Sequence, residues 1–122
     1  MVLVDTSIWI KHLRKTEPQL VELLNRALVL MHPLILGELA CGSLNNRTGI
    51  LRHLRALPAA VSASDEETQG LIEDRRLWGR GIGWIDAHLL ASALLTNCRL
   101  WTGDERLRRV CEDAGVNFAG VV

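Results

Sequence analysis

The chain has 122 residues, of which 48% are hydrophobic and 23% charged, and its basic and acidic residues balance at 14 each. This length and composition suit a single globular domain, residues 1–122, with one hydrophobic core, and they exclude an intrinsically disordered chain. The zero net charge argues against a protein that binds nucleic acid mainly through a broad basic surface.

Neither a membrane anchor nor a disulfide framework is expected. The apolar runs are short, so none approaches the ~20 residues of a membrane-spanning helix. Asp5 ends the first run before a secretion signal is complete. The cysteines Cys41, Cys98 and Cys111 are odd in number, widely spaced and without a CxxC pair, which is typical of reduced, mostly buried thiols. We therefore expect a cytoplasmic protein.

Short apolar segments alternate with helical patterns along the chain, and each apolar segment is predicted to be a strand. The first, Val2–Val4, runs into Asp5, Thr6 and Ser7, which are residue types that favour the start of a helix. The predicted strands in chain order are Val2–Val4, 29–31, 59–63, 100–102 and 116–122.

Helix signals fill the intervals between these strands. Capping-box spacings at Thr16 and Ser64 open two of the helices, and Pro33 suits the first turn of another. Glycine residues follow or interrupt several of the patterns and mark their ends. The predicted helices are 8–13, 16–28, Pro33–Cys41, 50–57, 64–78, 84–97 and Glu105–Ala114.

Strands that alternate with helices of this length predict a parallel sheet with helices on both faces. The expected fold class is therefore α/β, an α/β/α sandwich around a central, mostly parallel sheet. The sequence has no internal repeat, linker or low-complexity segment.

Four of the fourteen acidic residues occupy positions at which an unpaired carboxylate is costly. Asp86 shares a helix face with the apolar residues three, four, seven and eight positions later, and Glu38 has apolar residues three and four positions before it. Both are therefore expected to point inward. Asp5 and Asp104 each follow an apolar strand and precede a helix, at the sheet edge where open α/β folds bind ligands.

Clustered carboxylates repel one another and raise one another's pKa values, so they need a positive group nearby. Mg²⁺ or Mn²⁺ meets this need, because such ions prefer oxygen ligands and bridge carboxylates to substrate phosphates. The pattern therefore indicates metal-assisted phosphodiester chemistry, with one carboxylate to orient the attacking water. The hydroxyls of Thr6, Ser7 and Thr102 adjoin the acids and suit supporting positions around them.

Each of the four acids also suits a purely structural role. Asp5 and Asp104 fit simple helix N-caps, and Glu38 and Asp86 fit ion pairs with core arginines or a tilt toward solvent. A phosphatase-like hydrolase with Asp5 as nucleophile is disfavoured, because Ser7 stands where such sites carry a second Asp. The motifs of serine hydrolases, P-loop enzymes and zinc proteases are absent.

Each of the four acids lies in a short motif of its own, and the motifs are Val2-Leu3-Val4-Asp5-Thr6-Ser7, Leu36-Gly37-Glu38-Leu39, Ile85-Asp86-Ala87-His88-Leu89-Leu90-Ala91 and Leu100-Trp101-Thr102-Gly103-Asp104. These segments resemble the acidic motifs of PIN-domain nucleases, most closely those of VapC-type toxins from bacterial toxin–antitoxin pairs. The resemblance extends over essentially the whole chain, in order and at family-like spacing, so it is more specific than any single motif.

The resemblance implies a Rossmann-like α/β/α domain with the activity of an Mg²⁺- or Mn²⁺-dependent endoribonuclease. It further implies a toxin that forms a homodimer and is held inactive by a cognate antitoxin protein. The alternative is a catalytically inactive PIN-fold module that sequesters RNA or a protein partner. The residues at the positions of the family's catalytic and metal-binding quartet are Asp5, Glu38, Asp86 and Asp104.

The remaining implications concern neighbouring residues. Thr6 or Ser7, together with Thr102, match the polar positions beside the quartet. The resemblance allows Asp104 to bind the metal either directly or through water. Arg80 in the glycine-rich segment 79–83 suits contact with RNA phosphates, and a solvated arginine face is an equal alternative.

Further basic and aromatic side chains have two possible roles each. Arg106, Arg108 and Arg109 are additional phosphate-contact candidates, with a solvated surface as the alternative. His88 is assigned to a packed or solvated helix face. Core or dimer-interface positions are favoured over base stacking for the four tryptophans, which are Trp9, Trp78, Trp84 and Trp101.

Overall fold

A parallel sheet of three strands lies at the centre of the computed structural model, which describes residues 1–120. Strand β1 (Val2–Val4) is in the middle, β2 (Val29–Leu30) pairs with it on one side and β3 (Arg99–Trp101) on the other. The predicted α/β class with a parallel sheet is confirmed.

The position of β1 follows from its composition. All three of its residues are apolar and buried, as expected for a strand covered on both faces. Leu3 is fully buried and pairs with Leu30 in β2 and Leu100 in β3. Because the chain passes from β1 to β2 on one side and later reaches β3 on the other, strand order reverses between β1 and β3. Crevices at such reversals are the usual ligand sites of open α/β sheets.

Seven helices flank the sheet within the described residues. The longest has 13 residues, and none in residues 1–120 has the length and apolar character required to cross a bilayer. The helices are α1 (Thr6–Arg14), α2 (Pro18–Asn25), α3 (Pro33–Cys41), α4 (Arg47–Arg55), α5 (Asp65–Arg75), α6 (Trp84–Thr96) and α7 (Glu105–Ala114).

Helix α6 is the main helical part of the core. Its residues from Ala87 to Ala93 are all buried, and it packs against α5 and β3. A helix that is apolar on nearly every side is stable only in such an interior position. The thiols of Cys98 and Cys111 are buried and that of Cys41 is exposed, and all three are free.

Two of the predicted strands are wrong. Within 59–63 the pairing is a single bridge between Ala59 and Met31, and within 116–120 it is a single bridge between Asn117 and Leu100. The first segment soon leads into the polar cap of α5. In the second, residues 118–120 form no strand, and the last two residues of that prediction lie outside the described residues.

Several helix ends also differ from prediction. The capping box at Thr16 is wrong, because Glu17 is the N-cap of α2 and accepts a hydrogen bond from the Gln19 amide at 3.4 Å. The capping box at Ser64 is confirmed. Helix α5 ends at Arg75 rather than near 78, because Arg76 adopts a left-handed conformation that stops the helix. Helix α1 begins at Thr6 and α4 at Arg47, both earlier than predicted.

Candidate active site

An open pocket at the carboxyl ends of β1 and β3 brings the four predicted acids together. Its volume is about 730 Å³, and Thr6 and Ser7 line it beside the acids. The acids come from four separate segments: the end of β1, helix α3, the first turn of α6, and the turn between β3 and α7. The four acids in the lining are Asp5, Glu38, Asp86 and Asp104.

Asp5 is buried and tightly held. It is the N-cap of α1, and its Oδ1 accepts a hydrogen bond from the Thr6 amide at 2.8 Å. Its Oδ2 accepts two more, from Ser7 Oγ at 2.9 Å and from Thr102 Oγ1 at 2.8 Å. Three donors therefore orient this carboxylate.

The same two hydroxyls tie Asp5 to the turn that carries Asp104. Ser7 Oγ accepts a hydrogen bond from the Gly103 amide at 3.0 Å, and Thr102 Oγ1 accepts one from the Asp104 amide at 3.0 Å. Each hydroxyl therefore accepts from the backbone after β3 and donates to Asp5. The positions of Asp5 and Asp104 are coupled through this arrangement.

Glu38 is exposed, so the prediction that it points into the core is wrong. The buried stripe of α3 contains Ile35 and Leu39, and Glu38 lies one residue away from it, about 100° around the helix. Its Oε1 accepts a hydrogen bond from Thr6 Oγ1 at 2.8 Å. The carboxylate therefore faces the pocket from its solvent side.

Asp86 is half-buried in the first turn of α6, where its Oδ2 accepts a hydrogen bond from the Gly83 amide at 2.9 Å. Burial raises the pKa of Asp86, and the negative charges of Asp5, Asp104 and Glu38 raise it further, against the opposing effect of the Gly83 amide. The other three acids are therefore close enough to Asp86 for their negative charges to act on its carboxyl group.

Asp104 is exposed and is the N-cap of α7. Its Oδ1 accepts hydrogen bonds from the amides of Arg106 at 2.9 Å and Leu107 at 3.0 Å. Asp5 and Asp104 therefore have the structural role of N-caps and line the pocket as well. Together with Asp86, they place the positive ends of three helices, α1, α6 and α7, at the pocket, which partly offsets the negative charge.

No ion pair compensates these acids within residues 1–120. The arginines nearby have other partners: Arg80 pairs with Asp113 at 2.8 Å, Arg108 with Glu105 and Glu112, and Arg109 with Glu105 at 3.3 Å. Arg80 does not line the pocket. The predicted alternative of ion pairs with core arginines is therefore not observed for Glu38 and Asp86 in the described part of the chain.

Arg106 differs from the other arginines. In residues 1–120 its guanidinium has no acidic partner, and its side chain lies across Gly81, where an added methyl group would collide with it. Gly81 has a left-handed φ of 81°, which a side chain rarely adopts. Arg106 thus connects the α7 terminus with the loop that precedes Asp86.

The donor set suits a hard divalent cation. Four carboxylates without cationic partners provide only oxygen ligands, which Mg²⁺ and Mn²⁺ prefer. Within residues 1–120, no three acidic, histidine or cysteine side chains stand close enough to form a ready-made cage. The arrangement therefore fits an ion that keeps several waters and is reached directly by few of the acids, a mode common for Mg²⁺.

Sequence reasoning missed the apolar walls of the pocket. Ile10 on α1 and Trp84 and Ile85 on α6 line it beside the acids. The exposed fraction of Trp84 is 42%, whereas Trp9 is buried as predicted. The sequence contained one signal for Trp84, which is its position two residues before Asp86 in the first turn of the same helix.

Known proteins are similar to this chain over nearly its whole length. A family model described as PIN domain matches residues 2–113. Ribonuclease VapC32 of Mycobacterium tuberculosis, strain CDC 1551 / Oshkosh, is 47% identical over 120 residues, which cover 98% of this chain and 97% of the relative. The protein of the same name from strain ATCC 25618 / H37Rv shows the same identity and coverage.

Proposed function

The chain belongs to the PIN-domain family, and from this membership we propose that it is a metal-dependent endoribonuclease that hydrolyses RNA phosphodiester bonds. The observation that carries the proposal is the convergence of four carboxylates from separate segments on one pocket, without ion pairs in the described residues. The proposed catalytic and metal-binding residues are Asp5, Glu38, Asp86 and Asp104.

The proposed cofactor is Mg²⁺ or Mn²⁺. Bound at the acids, such an ion supplies charge neutralisation of the scissile phosphate and lowers the pKa of water. Asp5 is the fixed member of the site, because three donors set its orientation. Asp86 lines the same pocket as Asp5 and Glu38, and a bound cation would stabilise its ionised form, which burial and then the charges of the other acids disfavour.

Glu38 is the acid best placed to handle the attacking water. It is exposed and held by the Thr6 hydroxyl alone among the described contacts, so its second oxygen is available to accept a proton from water on the open side of the pocket. Asp104 contributes its Oδ2, because its Oδ1 caps α7. Thr6, Ser7 and Thr102 hold these carboxylates in place.

The proposal extends to biological context. A relative with the name of a VapC ribonuclease and the family resemblance support a toxin that cleaves RNA and is inhibited by a cognate antitoxin protein. We propose that residues 1–122 form one domain, that two copies form a homodimer, and that the protein acts in the cytoplasm, where free cysteines such as these persist.

The test is cleavage of synthetic RNA by the purified protein. Cleavage is expected with Mg²⁺ or Mn²⁺, is expected to stop with EDTA, and is expected to fall at least 100-fold in Asp86→Asn. Asp74→Asn is the matched control, because Asp74 is an exposed acid on α5 away from the pocket. Cleavage that persists in Asp86→Asn would contradict the proposal. RNA binding without cleavage would indicate the inactive binding module instead.

A further inference from the structure

Trp84 forms an apolar wall beside the four acids. It is the first residue of α6, lines the same pocket as Asp86 and keeps 42% of its surface exposed. Ile10, 41% exposed, lines the pocket from α1. Apolar side chains beside a few convergent polar groups in one cleft are the usual composition of a ligand site. Because carboxylates and a cation recognise phosphate but not a base, these walls suit another part of the substrate.

The indole of Trp84 is held in a defined orientation. It meets the His88 imidazole edge to face, with ring centroids 4.6 Å apart and an interplanar angle of 88°. His88 is itself buried, with Nδ1 3.2 Å from Thr68 Oγ1 and Nε2 3.1 Å from Asp65 Oδ1. A side chain fixed in this way loses little conformational entropy when a ligand contacts it.

We propose that Trp84 is a stacking platform for a nucleobase adjacent to the scissile phosphodiester. The inference rests on the proposed ribonuclease function and deepens it. A phosphate bound at the acids is covalently joined to its two flanking nucleosides, so a base next to it lies near the pocket wall. Stacking on an indole suits every base, and it requires a base that is not already stacked in a duplex. The base that Trp84 contacts is therefore an unpaired one.

Trp78 provides a matched control. It is 59% exposed and follows α5, yet it does not line the acid pocket. Trp84→Ala, Trp84→Phe and Trp78→Ala are compared on an unpaired RNA with one cleavage position. Because base stacking on an aromatic is worth about 1–3 kcal/mol, Trp84→Ala is expected to lower kcat/KM about 5- to 150-fold, mainly through KM. Trp84→Phe is expected to recover most of this loss, and Trp78→Ala is expected to behave like the wild type.

Abasic substrates identify the contact. Removing the base next to the cleaved bond is expected to lower kcat/KM by a similar factor in the wild type and Trp78→Ala. It is expected to lower kcat/KM little in Trp84→Ala, since the stacking platform is already missing there. An equal abasic penalty in all three proteins would overturn the proposal. The proposal would also be overturned if light scattering showed Trp84→Ala to be monomeric, the wild type to be dimeric, and kcat/KM to be unchanged. The indole would then belong to a dimer interface.

A binding experiment separates this inference from the proposed function. In the Asp86→Asn background, affinity for the same unpaired RNA is measured with Trp84 present and with Trp84→Ala. Weaker binding without the indole supports stacking even if the wild-type protein cleaves no RNA. Equal affinity would overturn the stacking proposal, whereas a wild-type protein without cleavage would overturn only the ribonuclease proposal.

Discussion

Thr102 Oγ1 donates a hydrogen bond to Asp5 Oδ2 at 2.8 Å, across a separation of 97 residues in the chain. The contact joins the carboxyl ends of two neighbouring parallel strands, β1 and β3, where strand order reverses. Thr102 is buried and also accepts the Asp104 amide at 3.0 Å. One hydroxyl therefore positions two of the four acids, although it does not line the pocket itself.

Loss of this hydroxyl is expected to weaken metal binding. Thr102→Val removes the donor to Asp5 and the acceptor for the Asp104 amide, and groups that orient ligands in this way typically affect affinity about 10- to 100-fold. Calorimetric titration with Mn²⁺ measures the effect. Thr102→Ser retains the hydroxyl and is expected to restore most of the affinity, whereas Thr48→Val, at an exposed position on α4, is expected to change nothing. Wild-type affinity in Thr102→Val would contradict the role.

Arg106 is expected to contact RNA phosphate. It has no acidic partner in the described residues and occupies the first turn of α7, where the helix dipole disfavours a cation. Arg106→Ala is therefore expected to lower kcat/KM several-fold and to reduce the slope of log(kcat/KM) against log[salt] by about 0.7, the contribution of one single-strand phosphate contact.

Arg109→Ala is the control for this experiment, because Arg109 is exposed on the same helix and already paired with Glu105. Its salt dependence is expected to match that of the wild type. If the two variants share one slope, Arg106 does not contact phosphate during the reaction.

His32 is expected to make the fold sensitive to mild acid. It is buried at the N-cap of α3, where Nδ1 accepts the Leu34 amide at 3.0 Å and Nε2 lies 3.1 Å from Ser92 Oγ. Protonation of Nδ1 removes the cap, and burial, followed by the charge of His88, lowers the pKa of His32 below its ordinary 6.5. The unfolded chain therefore binds the proton first, so this contribution to stability is complete above pH 6.5 and is lost as the pH falls through the lowered pKa.

Urea unfolding between pH 7.5 and 5.5 measures this effect, with a midpoint that is expected to move to lower urea as the pH falls. His32→Asn preserves a capping acceptor but does not titrate, so its midpoint is expected to depend less on pH in this range, even if its overall stability is lower. An equal pH dependence in both proteins would assign the acid sensitivity to other groups.

The sequence predicted the parallel sheet and the placement of Asp5 and Asp104, because both depend on local patterns, a buried apolar strand followed by a capping residue. It placed Glu38 wrongly, because apolar residues before it on α3 suggested an inward face. The helix instead buries Ile35 and Leu39. Which strands neighbour β1 depends on packing between distant segments, so the hydrogen bond from Thr102 to Asp5 was not predictable from local pattern. Trp84 was missed although its position two residues before Asp86 on α6 was a local signal.

Asp86→Asn is expected to stabilise the metal-free protein while abolishing its response to metal. The wild-type carboxylate is half-buried among three others, and burial and their charges raise its pKa, so its ionised form is destabilising at pH 7. Asparagine keeps an oxygen to accept the Gly83 amide and removes the charge. Because solvent screens a partly exposed site, the expected gain is a few tenths to about 1 kcal/mol.

Thermal unfolding with EDTA and with Mn²⁺ tests both parts of this expectation. Wild type is expected to melt at a lower temperature than Asp86→Asn in EDTA and to gain stability with Mn²⁺, since binding to the folded state alone raises Tm. Asp86→Asn is expected to gain little. Asp74→Asn, which removes an exposed acid from α5, is expected to follow the wild type in both conditions. A metal-free Asp86→Asn protein that is less stable than wild type would contradict this expectation. The Asp86 carboxylate would then stabilise the fold even without metal.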